Sequence, residues 1–201
     1  SLVGIWLLVA MGSTAYAADA PWRNLPLIQS GKVAPEWQQV GWGSFVVDGD
    51  HIRTQPSEKG LGVLVYTKEP LGNCQIRVVY RPDNSRCNAG VHIRMDDGIL
   101  KWVGKNSPAV SRNAQGKLVP EMLDRMKAAS EKEEGAWYAV HHGYEVQIMD
   151  AGGDGLHRTG ALYSLAPAAA APEAPADGWR TMIITLKGSV VVIELDGKEL
   201  T

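Results

Sequence analysis

An excess of positive charge is the first thing this sequence does without. Twenty Lys and Arg stand against twenty-two Asp and Glu, for a net charge of −2 and a pI near 6.2. No basic surface is left over for a nucleic-acid backbone. Long apolar runs are missing too: the longest, Leu2–Met11, falls well short of the ~20 residues a helix needs to cross a bilayer. Only two cysteines occur, so the chain is no disulfide scaffold. Phenylalanine appears once, and aromatic packing rests on seven Trp and six Tyr. What remains, with 45% hydrophobic and 21% charged residues over 201 positions, is the composition of one ordinary folded unit with material for a core.

Leu2–Met11 has the length of a secretory h-region, and "GSTAYAADA" after it offers Ala15 and Ala17 as an A-x-A cleavage signal. Residues 1–17 are expected to be a signal peptide cut after Ala17. Residues 18–201 are then an exported domain, periplasmic or extracellular. A buried helix is the competing reading, but the terminal position and the small residues after the run favour the leader. No starting Met and no basic segment precede the run, so the front of the chain is expected to be clipped. Cys74 opens "CQIRVVYR" and Cys87 follows the turn "PDNSR". If these segments pair as a hairpin, Cys87 faces Arg81 and Cys74 lies roughly 20 Å away at ~3.3 Å per residue. Two free, buried cysteines are expected.

Beyond the leader, strand signals dominate. "WGSFVVDGDHIRTQ" centres on Asp48-Gly49, a hairpin turn pair. "LGVLVYT", "CQIRVVYR", "NAGVHIRM", "GYEVQIMD", "TGALY", "WRTMIITL" and "VVVIEL" read as further short strands between polar turns. The pattern predicts an all-β sandwich of antiparallel strands. One helix is predicted, over "VPEMLDRMKAASEKEEG", with Pro120 at its start, an apolar stripe of Leu118, Met122, Leu123 and Met126, and Gly135 as its stop. It lies in a long insertion between two strands, Asp97 to His142. "APAAAAPEAPADG" reads as an extended surface loop. Asp196-Gly197 is a turn signal with only four residues after it, so a closing strand is expected to be missing at the C-terminus.

Two strands carry polar residues where packing residues belong. Alternation puts Glu145, Gln147 and Met149 on one face of "GYEVQIMD" and Val146 and Ile148 on the other, which reads as core. Asp150 joins Glu145 only if a bulge re-aims it. In "NAGVHIRM", Val91 and Ile93 face one way, His92 and Arg94 the other. These side chains could line a sugar-reading groove; solvated outer positions of ordinary strands are the plainer alternative. Paired carboxylates of the retaining-glycosidase kind are not supplied, because Gln147 stands where a middle acid would be. Asp154 and His157 in "AGGDGLHR" could reach a sugar or a metal, or simply belong to a loop over the groove. Trp102 and Trp137 could stack on sugar rings or pack. His141 and His142, as neighbours on an extended segment, would point apart.

"NAGVHIR", "GYEVQIMD", "RTGALY" followed by "AP", and "GWRTMIITLKGSVVVIELDGKEL" occur in the order of the 3-keto-disaccharide hydrolase family, which this chain resembles from about Trp37 to its end. The resemblance implies a concanavalin A-like jelly roll with its site on one sheet, and action on glycosides already oxidised at C3. It carries over Asn88, Gly90, Arg94, Glu145, Gln147, Asp150, Thr159, Gly160 and Tyr163. Ala89 replaces the family's usual Ser, Arg180 its usual Asn, and the family's closing segment is absent beyond "LDGKELT". A C3 ketone acidifies the C2–H, so a base can remove that proton and the C1 substituent can leave by elimination, with water adding afterwards. On this chemistry Glu145 or His92 is the base, Arg94 the oxyanion partner and Asp150 or Tyr163 the acid. Asn88, Gln147, Thr159, Tyr163 and His157 would contact the substrate. No cofactor is required with certainty; a divalent metal ion could share the oxyanion role. The implied partner is carbohydrate, an oxidised glycoside, with no nucleic acid and no membrane span in the mature chain. A non-catalytic, lectin-like carbohydrate-binding module on the same fold is the alternative.

Overall fold

The computed structural model describes residues 2–11, 22–83, 87–107, 109, 113–149 and 154–201. In chain order its strands are β1 (Leu2–Met11), β2 (Arg23–Asn24), β3 (Ile28–Gln29), β4 (Lys32–Val33), β5 (Trp37–Gly41), β6 (Ser44–Asp48), β7 (His51–Gln55), β8 (Gly62–Tyr66), β9 (Cys74–Pro82) and β10 (Ala89–Ile93). After the insertion come β11 (Tyr144–Ile148), β12 (Arg180–Lys187), β13 (Val190–Leu195) and β14 (Lys198–Glu199). The insertion holds a 3-10 helix (Asp97–Trp102), α1 (Pro120–Glu131) and α2 (Trp137–His142).

Strict alternation builds the main layer. Cys74, Ile76, Val78 and Tyr80 of β9 and Met182, Ile184 and Leu186 of β12 are buried, while the residues between them are more exposed. The large antiparallel sheet runs β14-β13-β12-β9-β1-β7-β6, with β2 paired to β1. Against its apolar face pack Ile93 of β10 and Val146 and Ile148 of β11, which form a separate antiparallel ladder. The fold is thus an all-β sandwich of two layers, each fully buried aliphatic side chain between them contributing about 1.5–3 kcal/mol. A second core joins β5 and β8 to the insertion, where Val40 and Val65 meet Ile99, Ala136, Tyr138 and Ala139.

Several expectations need correction. β9 and β10 do not pair as a hairpin: β9 pairs β1 and β12, and β10 pairs β11. Cys74 and Cys87 are nonetheless free and buried. "TGALY" is not a regular strand. It runs antiparallel beside β11 in a turn-rich conformation, and Gly160 adopts φ +88°. The predicted helix starts at Pro120 as expected, but it stops at Glu131 and Glu133 takes the left-handed conformation, φ +55°. Its stripe is not buried either: Leu123 is exposed and Ala129 is the residue packed inside. Gly135 matters for space, since a methyl there would lie 2.7 Å from Ser107 N. His141 and His142 close a helix rather than lie extended. Asp196 (φ +50°) and Gly197 (φ +80°) do form a turn, into the short β14. Leu2–Met11 lies as β1 beside β9, from Leu2↔Pro82 to Met11↔Cys74, so β9 is not a sheet edge. No described helix is long and apolar enough to cross a membrane.

Candidate functional site

The β10–β11 ladder places the polar residues of both strands on one face, turned away from the main core. Register sets His92 opposite Glu145 and Gly90 opposite Gln147, with directly opposed Cβ atoms about 5 Å apart in such pairs. The space above Gly90 belongs to Glu145: a methyl group at Gly90 would overlap Glu145 Oε1 and Cγ. Gln147 is only 1% exposed, and its Nε2 donates to Asn88 Oδ1 at 3.0 Å. Its Oε1, and Nδ1 of His92, are buried with no hydrogen-bond partner among the described residues. A buried acceptor or donor left unpaired is costly and calls for a reason.

A third lane completes the face. Tyr163 N donates to Glu145 O (2.8 Å), Gln147 N to Ala161 O (2.9 Å) and Gly160 N to Gln147 O (2.9 Å). Leu162 bridges Val146 and packs toward the core, so its neighbour Tyr163 falls on the side of Glu145. Tyr163 is 43% exposed. His157 meets its ring edge-on, centroids 4.9 Å apart. The segment is held from behind: Thr201 Oγ1 donates to Gly160 O, and Leu200 packs where a Gly160 side chain would go.

Burial sets the electrostatics. Desolvation pushes the Glu145 carboxyl above its ordinary 4.5. It pushes His92 down to about 4, which leaves the imidazole neutral around pH 7. A carboxylate raised in this way is a stronger base, and a neutral imidazole can donate a hydrogen bond without bringing charge.

The structure therefore brings together Asn88, Gly90, His92, Glu145, Gln147, Tyr163 and His157. Two expected residues lie elsewhere. Arg94 follows β10 with φ +56°, which breaks the alternation. Its Nη2 donates to Gly188 O (2.7 Å) and Asn73 Oδ1 (3.2 Å), at the β12–β13 turn of the opposite layer. Thr159 is buried, and its Oγ1 accepts from Met149 N at 2.8 Å, so it holds the end of β11. Asp150 lies outside the described residues. Trp102 packs in the second core and Trp137 opens α2. Among the described residues no group of three or more His, Cys, Asp and Glu is placed to hold a metal ion. Sequence reasoning did not find the bonding of His157 to both Asp154 and Ser164; the signal available was the spacing within "DGLHRTGALYS".

A model of the 3-keto-alpha-glucoside-1,2-lyase-like domain matches residues 24–201, and the chain belongs to that family of enzymes acting on 3-keto-glycosides. No curated protein and no solved structure is matched.

Proposed function

We propose that this family member cleaves the glycosidic bond of 3-keto-glycosides or 3-keto-disaccharides by removing the C2 proton, expelling the C1 substituent and adding water at C1. The observation that carries the reading is the pair Glu145 and His92, opposed across β10–β11 beside Gln147, whose Oε1 has no partner among the described residues. Glu145 takes the C2 proton, and the C–H electron pair moves toward the C3 carbonyl. Neutral His92 donates to the enolate oxygen as charge develops there. The pair then collapses to expel the C1 oxygen. Gln147, Asn88 and Tyr163 bind ring hydroxyls. Arg94, engaged on the other layer, has no part. Export through the leader 1–17 belongs to the same proposal.

The experiment is to assay 3-keto-glucosides and 3-keto-trehalose beside their unoxidised parents. Turnover of the oxidised sugars alone is expected, falling by roughly 10²–10⁴-fold in Glu145→Gln. Unchanged turnover in that variant removes Glu145 from the reaction. Tight glycan binding with no turnover in the unaltered protein would make the domain a carbohydrate-binding module.

A further inference from the structure

The departing C1 oxygen needs a proton, and neither Glu145 nor neutral His92 supplies one. Next to the face, Asp154, His157 and Ser164 are bonded in series. His157 Nδ1 lies 2.8 Å from Asp154 Oδ1, and His157 Nε2 lies 3.0 Å from Ser164 Oγ. Asp154 and Ser164 are exposed, but hydrogen bonds hold the series in place. Asp154 Oδ1 also accepts from Leu156 N, and its carbonyl accepts from His157 N. Ser164 N donates to Leu156 O, and Ser164 itself sits in the left-handed region at φ +58°. The ring of His157 abuts Tyr163, whose backbone is bonded to Glu145.

An Asp–His–Ser series suggests acyl transfer at first sight, but that chemistry needs free donors for an oxyanion. Here the amides of Ser164, Leu165 and Ala166 are all committed, to Leu156 O and Leu162 O. The series is built to move a proton.

We infer that Ser164 and His157 deliver the proton to the leaving group, with Asp154 as the positioning residue; this rests on the elimination reading above. As the C1–O bond breaks, the Ser164 hydroxyl proton passes to the aglycone oxygen, and Nε2–H of the imidazolium reprotonates Ser164 Oγ. The ring is left neutral, with Nδ1–H held by Asp154. When water adds to C1 of the enone, its proton returns to Nε2, and Glu145 returns its own to C2. Every proton is accounted for, and the net change is 3-keto-glycoside plus water to 3-keto sugar plus aglycone.

The test compares leaving groups. A dinitrophenolate departs without protonation; a methoxide does not. His157→Gln is expected to lose about 100-fold on methyl 3-keto-glucoside and less than about threefold on the dinitrophenyl compound. Ser164→Ala, an exposed position, serves if the histidine variant folds poorly. Exchange of the C2 hydrogen in deuterium oxide should persist in His157→Gln and vanish in Glu145→Gln. Equal losses on both leaving groups, or lost exchange in well-folded His157→Gln and Ser164→Ala, would overturn the donor assignment while elimination stands. Absence of both cleavage and exchange in the unaltered protein would overturn the elimination reading, and the inference with it.

Discussion

Gly90 is bare because Glu145 occupies the space a side chain would take. Gly90→Ala should therefore displace the carboxylate while leaving the ladder paired. A fall in kcat/KM of at least about tenfold is expected, with little change in Tm, since a misplaced catalytic group is felt far more in rate than in stability. Glu145 itself has opposed effects. Its folded pKa is raised by burial, so the protonated form favours the fold, and stability falls as pH rises from the unfolded value through the folded one. Glu145→Gln should melt higher than the parent at pH 7 although inactive, with the gain fading below the ordinary 4.5. The acidic limb of kcat/KM in the unaltered protein should lie above 4.5 for the same reason. Much of this face was legible from period-two alternation, which set His92, Glu145 and Gln147 on one side. Alternation misled at Arg94 because a left-handed backbone followed the strand, and sequence gives no sign of that at a non-glycine residue.

The insertion is fastened at its neck by one histidine. His142 Nε2 lies 2.8 Å from Glu133 Oε2 and Nδ1 lies 3.1 Å from Asp96 Oδ2, while its ring stacks on Tyr138 at 3.9 Å. Tyr138 OH donates to the same Asp96, which also caps the 3-10 helix through Gly98 N. The Glu133 contact, then Asp96, raises the His142 pKa; the Tyr138 and Gly98 bonds lower that of Asp96. The stabilisation from histidinium is complete below the unfolded 6.5 and is lost as pH rises through the raised folded value. Corrected for the intrinsic rise of exchange with pH, amide protection in residues 97–107 and 113–142 should fall above that midpoint, and His142→Gln should remove that fall. None of this was legible, because a six-residue helix such as α2, rich in Trp, Tyr and Val, carries no clear helical period. α1 was legible from Pro120, but its stop was not, since the first left-handed residue is Glu133 (φ +55°), two positions before Gly135 (φ +60°). A second fastening joins β12 to the end of β13. Arg180 Nε donates to Asp196 Oδ2 at 2.9 Å, with the arginine side chain only 4% exposed. Asp196→Ala removes a carboxylate partner from a buried cation that keeps its bond to Pro172 O, and should cost roughly 3 kcal/mol in chemical denaturation.

At the scale of the whole molecule, the sandwich was legible because β9, β12 and β13 alternate strictly and turns punctuate them. The partner of β9 was not, because pairing across distant segments leaves no local trace. In the structure β9 lies between β12 and β1, and β1 is the segment proposed as an export leader. If the leader is cut as proposed, the exported chain begins at Ala18, which intact mass tests, and exchange in residues 74–82 should then be faster than in the uncut chain. A retained N-terminus on the exported protein would instead make Leu2–Met11 a permanent part of the sheet. Another consequence follows from the insertion: Ile93 and Tyr144, paired neighbours in space, are about fifty residues apart along the chain. Pairing over such a separation is slow to close, and the lane of Tyr163 is braced by Leu200 and Thr201. If the proposed cleavage holds, turnover should be among the last properties to return on refolding, and removing Leu200 and Thr201 should weaken it.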